Sequence, residues 1–462
     1  MRFEAVESTP AIHKIADGLR GTRRIDLSPQ ARELGAELEE RPSEMVVVTG
    51  FAALTPLGNT EETRRRELLG ETAIRTFPTG NDKTRIAAHV DFDPRDHFDR
   101  RDLLRISKFS AMMLVVAREA ALRAGIVNKN GKLNPEFNRD EVGTNIATGF
   151  GQALNVIDSY EILRRGGRLS TYEGLKVFPE QSNSGVAQGL SLSGWGSNSS
   201  EACASGKSSI AEAELLIRSG RARVMFAGGF EDVFSGPSAE AHGHPEAPIG
   251  IFSALTALSE RNDSPQSAMR PFDEDRDGFV MASGGGVLVL ESIESALERG
   301  ATIYATVLGA QKGMDGGDST NMDTGRVARL ILKTLKVRGG EGFYPVDAIF
   351  AHATSTPTGD RNEIEAFRRA FGDLLPSIPI TAIKSIHGHL LGGAGAINAI
   401  SAVRSLYEGI IPPTINLSKR GKEFEDLDIV TDARRSNPQT ILTVAYGFGG
   451  YNAAVHFGRY SI

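Results

Sequence analysis

Along the chain, short apolar runs that end in glycine alternate with longer segments whose apolar residues recur at helical spacing. Met45-Val46-Val47-Val48-Thr49-Gly50 is β-branched and predicts a buried strand, and residues 52–59 (A-A-L-T-P-L-G-N) lead towards a helix. Residues 105–124 predict a core helix, and residues 142–151 (V-G-T-N-I-A-T-G-F-G) a strand entering a glycine-rich turn. A helix is expected over 207–220, stopped by Gly220, and strands over 222–229 and 284–291. The order strand, helix, strand predicts an α/β sheet with crossover helices. Residues 383–409, a polar turn followed by small residues and an apolar helix closed by glycine, echo the segment around residue 203 and suggest an internal duplication.

Residues 1–45 differ from this pattern: charges of both signs fill them, and Thr9-Pro10 and Ser28-Pro29 predict two short helices of an N-terminal extension. The body then divides into halves at 46–298 and 299–462.

Composition narrows the class. The 51 glycines and low aromatic content fit an enzyme with tight turns and close helix packing. A formal charge of -6 argues against bulk binding to nucleic acid or to an anionic membrane. The single cysteine cannot form an internal disulfide, and neither a signal peptide nor a membrane-spanning run is evident, so a cytoplasmic protein is expected. Gly149-Phe150-Gly151 is too short for a nucleotide fingerprint. Asp273, Asp275 and Asp277 lack the glutamate a calcium loop needs at its twelfth position, where Gly284 stands.

Cys203, in Ser200-Glu201-Ala202-Cys203-Ala204-Ser205-Gly206, falls at the start of the helix expected over 207–220. A helix N-terminus stabilises an anion and lowers a thiol pKa, which makes a nucleophile. The same cysteine also reads as a small buried hydrophobe. Three polar turns after apolar strands could decide between these: Ala351-His352-Ala353-Thr354-Ser355-Thr356-Pro357, Lys384-Ser385-Ile386-His387-Gly388-His389, and Gly447-Phe448-Gly449-Gly450-Tyr451-Asn452. Such turns are where α/β folds collect catalytic groups.

Together with Cys203, these turns resemble the β-ketoacyl-acyl carrier protein synthases, condensing enzymes of the thiolase superfamily. The likeness runs from residue 46 to the C-terminus and includes R-P-F-D-E-D-R-D-G-F-V (270–280), K-S-x-x-G-H-L-L-G-x-A-G-A (384–396) and P-P-T-I-N (412–416). It implies a five-layered α-β-α-β-α fold of two duplicated halves, commonly a homodimer. It implies a decarboxylative Claisen condensation, in fatty acid or polyketide synthesis, with no metal and no resident cofactor. The substrates would ride on the phosphopantetheine of an acyl carrier protein, which could dock on a basic rim at Arg100, Arg101, Arg105 and Lys108.

By position, Cys203 would accept the acyl group, and His352 and His389 would promote decarboxylation as neutral donors, His389 being kept neutral by the helix start beyond it. Lys384 would order the second histidine turn. The backbone N–H groups of Cys203 and Phe448 would form the oxyanion hole, with Phe448 as gate. Thr354 and Thr356 would bind the phosphopantetheine arm, and Phe150 would shorten the acyl pocket.

The sequence departs from the family pattern at Glu201, Ser283, Asn321, Ala353, His387 and Tyr451. Ser283 stands where a glutamate is usual, so Lys384 is expected to lack its carboxylate partner unless Glu201 or another carboxylate supplies one. Competing readings are a non-catalytic subunit resembling chain-length factors, a non-decarboxylating acyltransferase and, weakest, an unrelated cysteine hydrolase.

Overall fold

The β-branched run at residue 46 continues further than its sequence suggests, and Val46–Thr55 forms one strand, β1. In the computed structural model, residues 45–234, 244–318 and 321–461 are described; the two helices expected near Pro10 and Pro29 lie outside them. Four more strands of the first half lie on the main path of the large sheet: β2 (Val142–Ala147), β3 (Gly196–Ser197), β4 (Val224–Glu231) and β5 (Gly284–Ser292). The second half holds β6 (Ala305–Met314), β7 (Ala348–Phe350), β8 (Ile380–Thr381), β9 (Thr440–Gly447) and β10 (Tyr451–Gly458).

The two halves have one topology. The first runs β3-β2-β4-β5-β1 across the sheet and the second β8-β7-β9-β10-β6. The pairing senses repeat as well. The second strand of each half lies parallel to its neighbours, β2 to β3 and β4, β7 to β8 and β9. The remaining pairs, β4–β5, β5–β1, β9–β10 and β10–β6, are antiparallel. The halves join where Val46, Val47 and Val48 of β1 face Val307, Thr306 and Ala305 of β6. This repeat gives the duplication suggested by residues 383–409 a structural basis.

The helices sort into layers. The longer ones are α1 (Thr60–Leu68), α2 (Lys108–Ala124), α3 (Ala153–Arg164), α4 (Pro179–Leu190), α5 (Ser205–Arg218), α6 (Glu246–Ala254), α7 (Thr324–Leu335), α8 (Pro357–Phe371) and α9 (Ala394–Glu408). Helices α2 and α4 cover the outer face of the first half, while α7 lies on β6 and β10 of the second with α8 packed against it. Between the halves lie α5, which touches β2, β4, β6 and β10, and α9, which touches β4, β5 and β9. The result is the five-layered α-β-α-β-α arrangement.

Local chemistry sets the ends. Helix α2 starts three residues later than its periodicity suggests because the Ser107 side chain caps it, accepting from the Ser110 N–H, and Gly125 closes it at φ 70°. Helix α5 buries Ile210, Ala211, Ala213, Leu216 and Ile217, whereas Leu215 points outward. Where α5 meets α9, a Cβ on Gly206 would lie 2.7 Å from the Gly392 carbonyl, and one on Gly395 would lie 2.7 Å from the Lys207 nitrogen. The central helices therefore touch backbone to backbone, which brings the turns at their N-termini together. Among the described residues, no helix is long and apolar enough to cross a membrane.

Candidate active site

Cys203 is the middle residue of a 3-10 turn, Ala202–Ala204, that feeds directly into α5. The residue ahead of it, Ala202, has φ 48°, a left-handed conformation that costs a non-glycine residue strain and is held by its surroundings. The expected low thiol pKa is not what the surroundings give. Burial pushes the Cys203 thiol up to about 12, with Glu231 adding to the rise and the Lys384 charge opposing it. In the dry interior, desolvation outweighs the helix N-terminus.

The first histidine turn leaves β7 and enters α8. His352 and Ala353 donate their backbone N–H groups to the two carboxylate oxygens of Glu363, each at 2.7 Å. That clamp holds Ala353 at φ 22°, on the edge of the left-handed region. It also accounts physically for a glycine being usual there. Asp360 accepts from the Ser355 and Phe272 N–H groups, and Gly278 donates to the Ser355 carbonyl. The charged turn at 270–280 is thus a latch on the histidine turn. Its Asp273 carboxylate is taken up by the Arg270 side chain, the Ser418 hydroxyl and the backbone N–H groups of Asp275, Ser418 and Lys419.

The second turn is one helical turn, Lys384–His387, followed by Gly388 at φ 77°. His389 is then fixed as if in a strand, donating to the Val280 carbonyl and accepting from the Ala282 N–H. His387 Nε2 hydrogen-bonds the carboxylate of buried Glu67 of α1 at 3.0 Å, which anchors this turn from the other side.

The rings of His352 and His389 stand edge to face, 5.4 Å apart. Burial, with the Lys384 charge, holds both well below the usual imidazole range, so both are neutral. His389 is neutral as expected, but the cause is burial and Lys384 rather than the helix start. His352 Nδ1 accepts from the Tyr446 N–H at 3.4 Å and lies 3.3 Å from Lys384 Nζ, which leaves Nε2 as the donor. Lys384 also donates to the His352 carbonyl. Its own pKa is drawn down to about 8 by burial, against Glu363, Cys203 and Asp360, which favour the charged form.

Cys203, His352, His389, Thr354, Thr356 and Phe448 all line one cavity of about 320 Å³. Phe448 stacks on Phe252 of α6 with ring centroids 6.4 Å apart. Its preceding residue, Gly447, is pressed onto the nucleophile turn, where a Cβ would meet the Glu201 carbonyl at 2.7 Å. Thr354 and Thr356 share a hydroxyl contact of 3.1 Å, and Thr356 also caps α8.

The expectation for Glu201 needs correction. Glu201 does not serve Lys384: it pairs with Lys312 at 2.9 Å. Ser283 bonds to the Val90 N–H and sits 3.3 Å from His89 Nδ1. The carboxylate beside Lys384 is Glu363, which sequence reading missed although it lies eleven residues after His352; burial raises it to about 7. Also missed was Lys207, fully buried, donating to Thr443 Oγ1 at 2.7 Å and held well below its usual range by burial and Lys384. Phe150 is not among the residues that line the cavity; its N–H donates to Glu231. Arg100, Arg101 and Arg105 are exposed and Lys108 is half-buried, but none of the four lines the cavity.

A duplicated α/β sandwich that brings one cysteine and two neutral imidazoles to a common cavity is the build of a thiolase-like condensing enzyme. Residues 43–296 match the N-terminal domain and residues 304–418 the C-terminal domain of beta-ketoacyl synthase, and the chain belongs to that family. It is 36% identical over 437 residues to a 3-oxoacyl-[acyl-carrier-protein] synthase 2 of Synechocystis, covering 92% of this chain and 100% of that protein. It is 32% identical over 424 residues to synthase 1 of Haemophilus influenzae, covering 90% and 99%. A beta-ketoacyl synthase from Burkholderia phymatum superposes with a TM-score of 0.80 at 28% identity, over 90% of this chain and all 100% of that one. A type II polyketide ketosynthase solved with its acyl-carrier protein gives 0.79 at 27% identity, over 91% and 100%. The protein is an acyltransferase-type condensing enzyme.

Proposed function

We propose that Cys203 accepts an acyl group from an acyl carrier protein and that His352 and His389 drive the decarboxylation of a malonyl unit brought by a second carrier. The observation that carries this reading is the cavity that Cys203 shares with two neutral imidazoles. A thioester on Cys203 presents a reactive carbonyl, and loss of carbon dioxide puts charge on an oxygen that needs donors in a dry site. Neutral imidazoles meet that need; imidazolium would bring its own charge. Because the resting thiol is protonated, the acyl transfer balances when the Cys203 proton passes to the phosphopantetheine sulfur that leaves as the acyl group arrives.

In this reading Lys384 and Glu363 position the first histidine turn, and the N–H groups of Cys203 and Phe448 form the oxyanion hole. Thr354 and Thr356 hold the phosphopantetheine arm. Phe150, which packs against the core cluster that includes Cys203, sets a preference for short or medium acyl chains. The carrier approaches a basic surface that includes Arg100, Arg101 and Arg105. Two copies pair as a dimer through the face of α3, where Val156, Tyr160 and Leu163 fall on one side and are exposed.

The test is to incubate the protein with acyl-carrier and malonyl-carrier thioesters and to follow both the intact mass and carbon dioxide. The expected result is an acyl adduct that is lost in Cys203→Ala, together with carbon dioxide release that needs His352 and His389. Acylation without decarboxylation would contradict it and favour the transferase.

A further inference from the structure

Tyr446 is the next-to-last residue of β9, and its side chain is buried at 6% exposure while lining the cavity that holds Cys203. Its ring meets His352 edge to face, with centroids 5.5 Å apart. The backbone of the same residue holds that histidine through its N–H, so ring and imidazole are set as one unit. Yet the Tyr446 hydroxyl has no hydrogen-bond partner among the described residues. Two neighbouring polar side chains of the cavity are paired, Thr354 with Thr356 and Asn452 with the Gly450 carbonyl, whereas His389 Nδ1 is unpaired like the Tyr446 hydroxyl. A buried hydroxyl without a partner costs stability, and phenylalanine would fill the same space without that cost. Burial and the nearby Glu363 carboxylate push the phenol well above its usual range, so the hydroxyl keeps its proton.

Resting on the condensing reading above, we infer that Tyr446 is a catalytic residue whose hydroxyl joins His352 and His389 as a third donor to the thioester oxygen of the malonyl unit. In that step the bond between the carboxylate carbon and the α-carbon breaks and carbon dioxide leaves. The electron pair passes into the thioester, giving an enolate with charge on its oxygen. The enolate carbon then bonds to the carbonyl carbon of the acyl group on Cys203, the carbon–sulfur bond breaks, and the sulfur leaves as thiolate and takes a proton from solvent. A donor aimed at the thioester oxygen strengthens as charge arrives there. A donor aimed at the departing carboxylate would instead favour the reactant.

Tyr446→Phe removes one oxygen and preserves the shape of the ring. In full-length protein already acylated on Cys203, the variant should release carbon dioxide from malonyl carrier protein with kcat lowered about 100-fold. KM should stay near the wild-type value, acylation of Cys203 by intact mass should be unchanged, and the melting temperature should be equal or higher. Carbon dioxide release within twofold of wild type would overturn the assignment, as would a rise in KM alone, which would mark a contact to the carboxylate. Wild-type protein that releases no carbon dioxide would overturn the condensing reading and this inference with it.

Discussion

Ala202–Cys203–Ala204 and Leu391–Gly392–Gly393 are one piece of backbone used twice. Each is a 3-10 turn opened by a residue of positive φ, 48° at Ala202 and 43° at Leu391, and each feeds the central helix of its half. What surrounds the middle residue differs. Cys203 lines the cavity, whereas a Cβ at Gly392 would lie 2.3 Å from the Gly149 nitrogen and 2.9 Å from a Glu231 carboxylate oxygen. The second half cannot carry a side chain at that point. Its side chains reach the cavity instead from the two neighbouring turns, at His352 and His389.

The contrast extends to two buried carboxylates, each holding the turn that follows the second strand of its half. Glu231 accepts from the N–H groups of Gly149, Phe150 and Gly151 and reaches across to that of Gly392. Glu363 accepts from His352 and Ala353 within its own half. Burial raises both to about 7. One carboxylate therefore ties the halves together and the other holds the first histidine turn. Equivalent backbone has been divided between cohesion and chemistry.

The sharpest way to break this comparison is Cys203→Ala, which should abolish the acyl adduct and lower turnover about 10⁴-fold or more, read by intact mass and product formation. His389→Ala should cost about 100-fold in carbon dioxide release while Cys203 still loads, because it removes a donor needed only once charge develops. Gly392→Ala drives a methyl into the Gly149 backbone and should destabilise the protein by about 3 kcal/mol in urea titration. An unchanged midpoint would mean that the two turns are not locked as described.

The smallest effect separates the carboxylates by pH. The folded protein binds the Glu363 proton more tightly than the unfolded chain, since the pKa rises from 4.5 to about 7. Wild-type stability should therefore gain from this group as pH falls from about 7 towards 4.5, and Glu363→Gln should lose that gain. The melting-temperature difference, wild type minus variant, should grow towards acid. Glu231→Gln should show the same trend, but only the Glu363 variant should also change the pH profile of carbon dioxide release.

Much of this was legible in the sequence. The β-branched run at Val46, the core helix that ends at Ala124 and the small-residue helix closed by Gly409 follow from periodicity and turn chemistry. Cys203, His352 and His389 stand in motifs whose order along the chain is enough to nominate them. Spacing does not report burial, which is why the thiol pKa was expected to fall and instead rises. Glu363 was missed because it faces His352 only once α8 folds back along its strand. The Tyr446 hydroxyl stands out only when its partners can be counted.

The central claim is that the two halves perform coupled steps, the first holding the acyl group and the second generating the carbon nucleophile. Rapid quench of acyl-Cys203 protein with one equivalent of labelled malonyl carrier tests it directly, by following the adduct mass and carbon dioxide in the same samples. The account predicts that the adduct disappears and carbon dioxide appears at one rate and in a one-to-one ratio. Loss of the adduct without carbon dioxide, or carbon dioxide with the adduct intact, would contradict it.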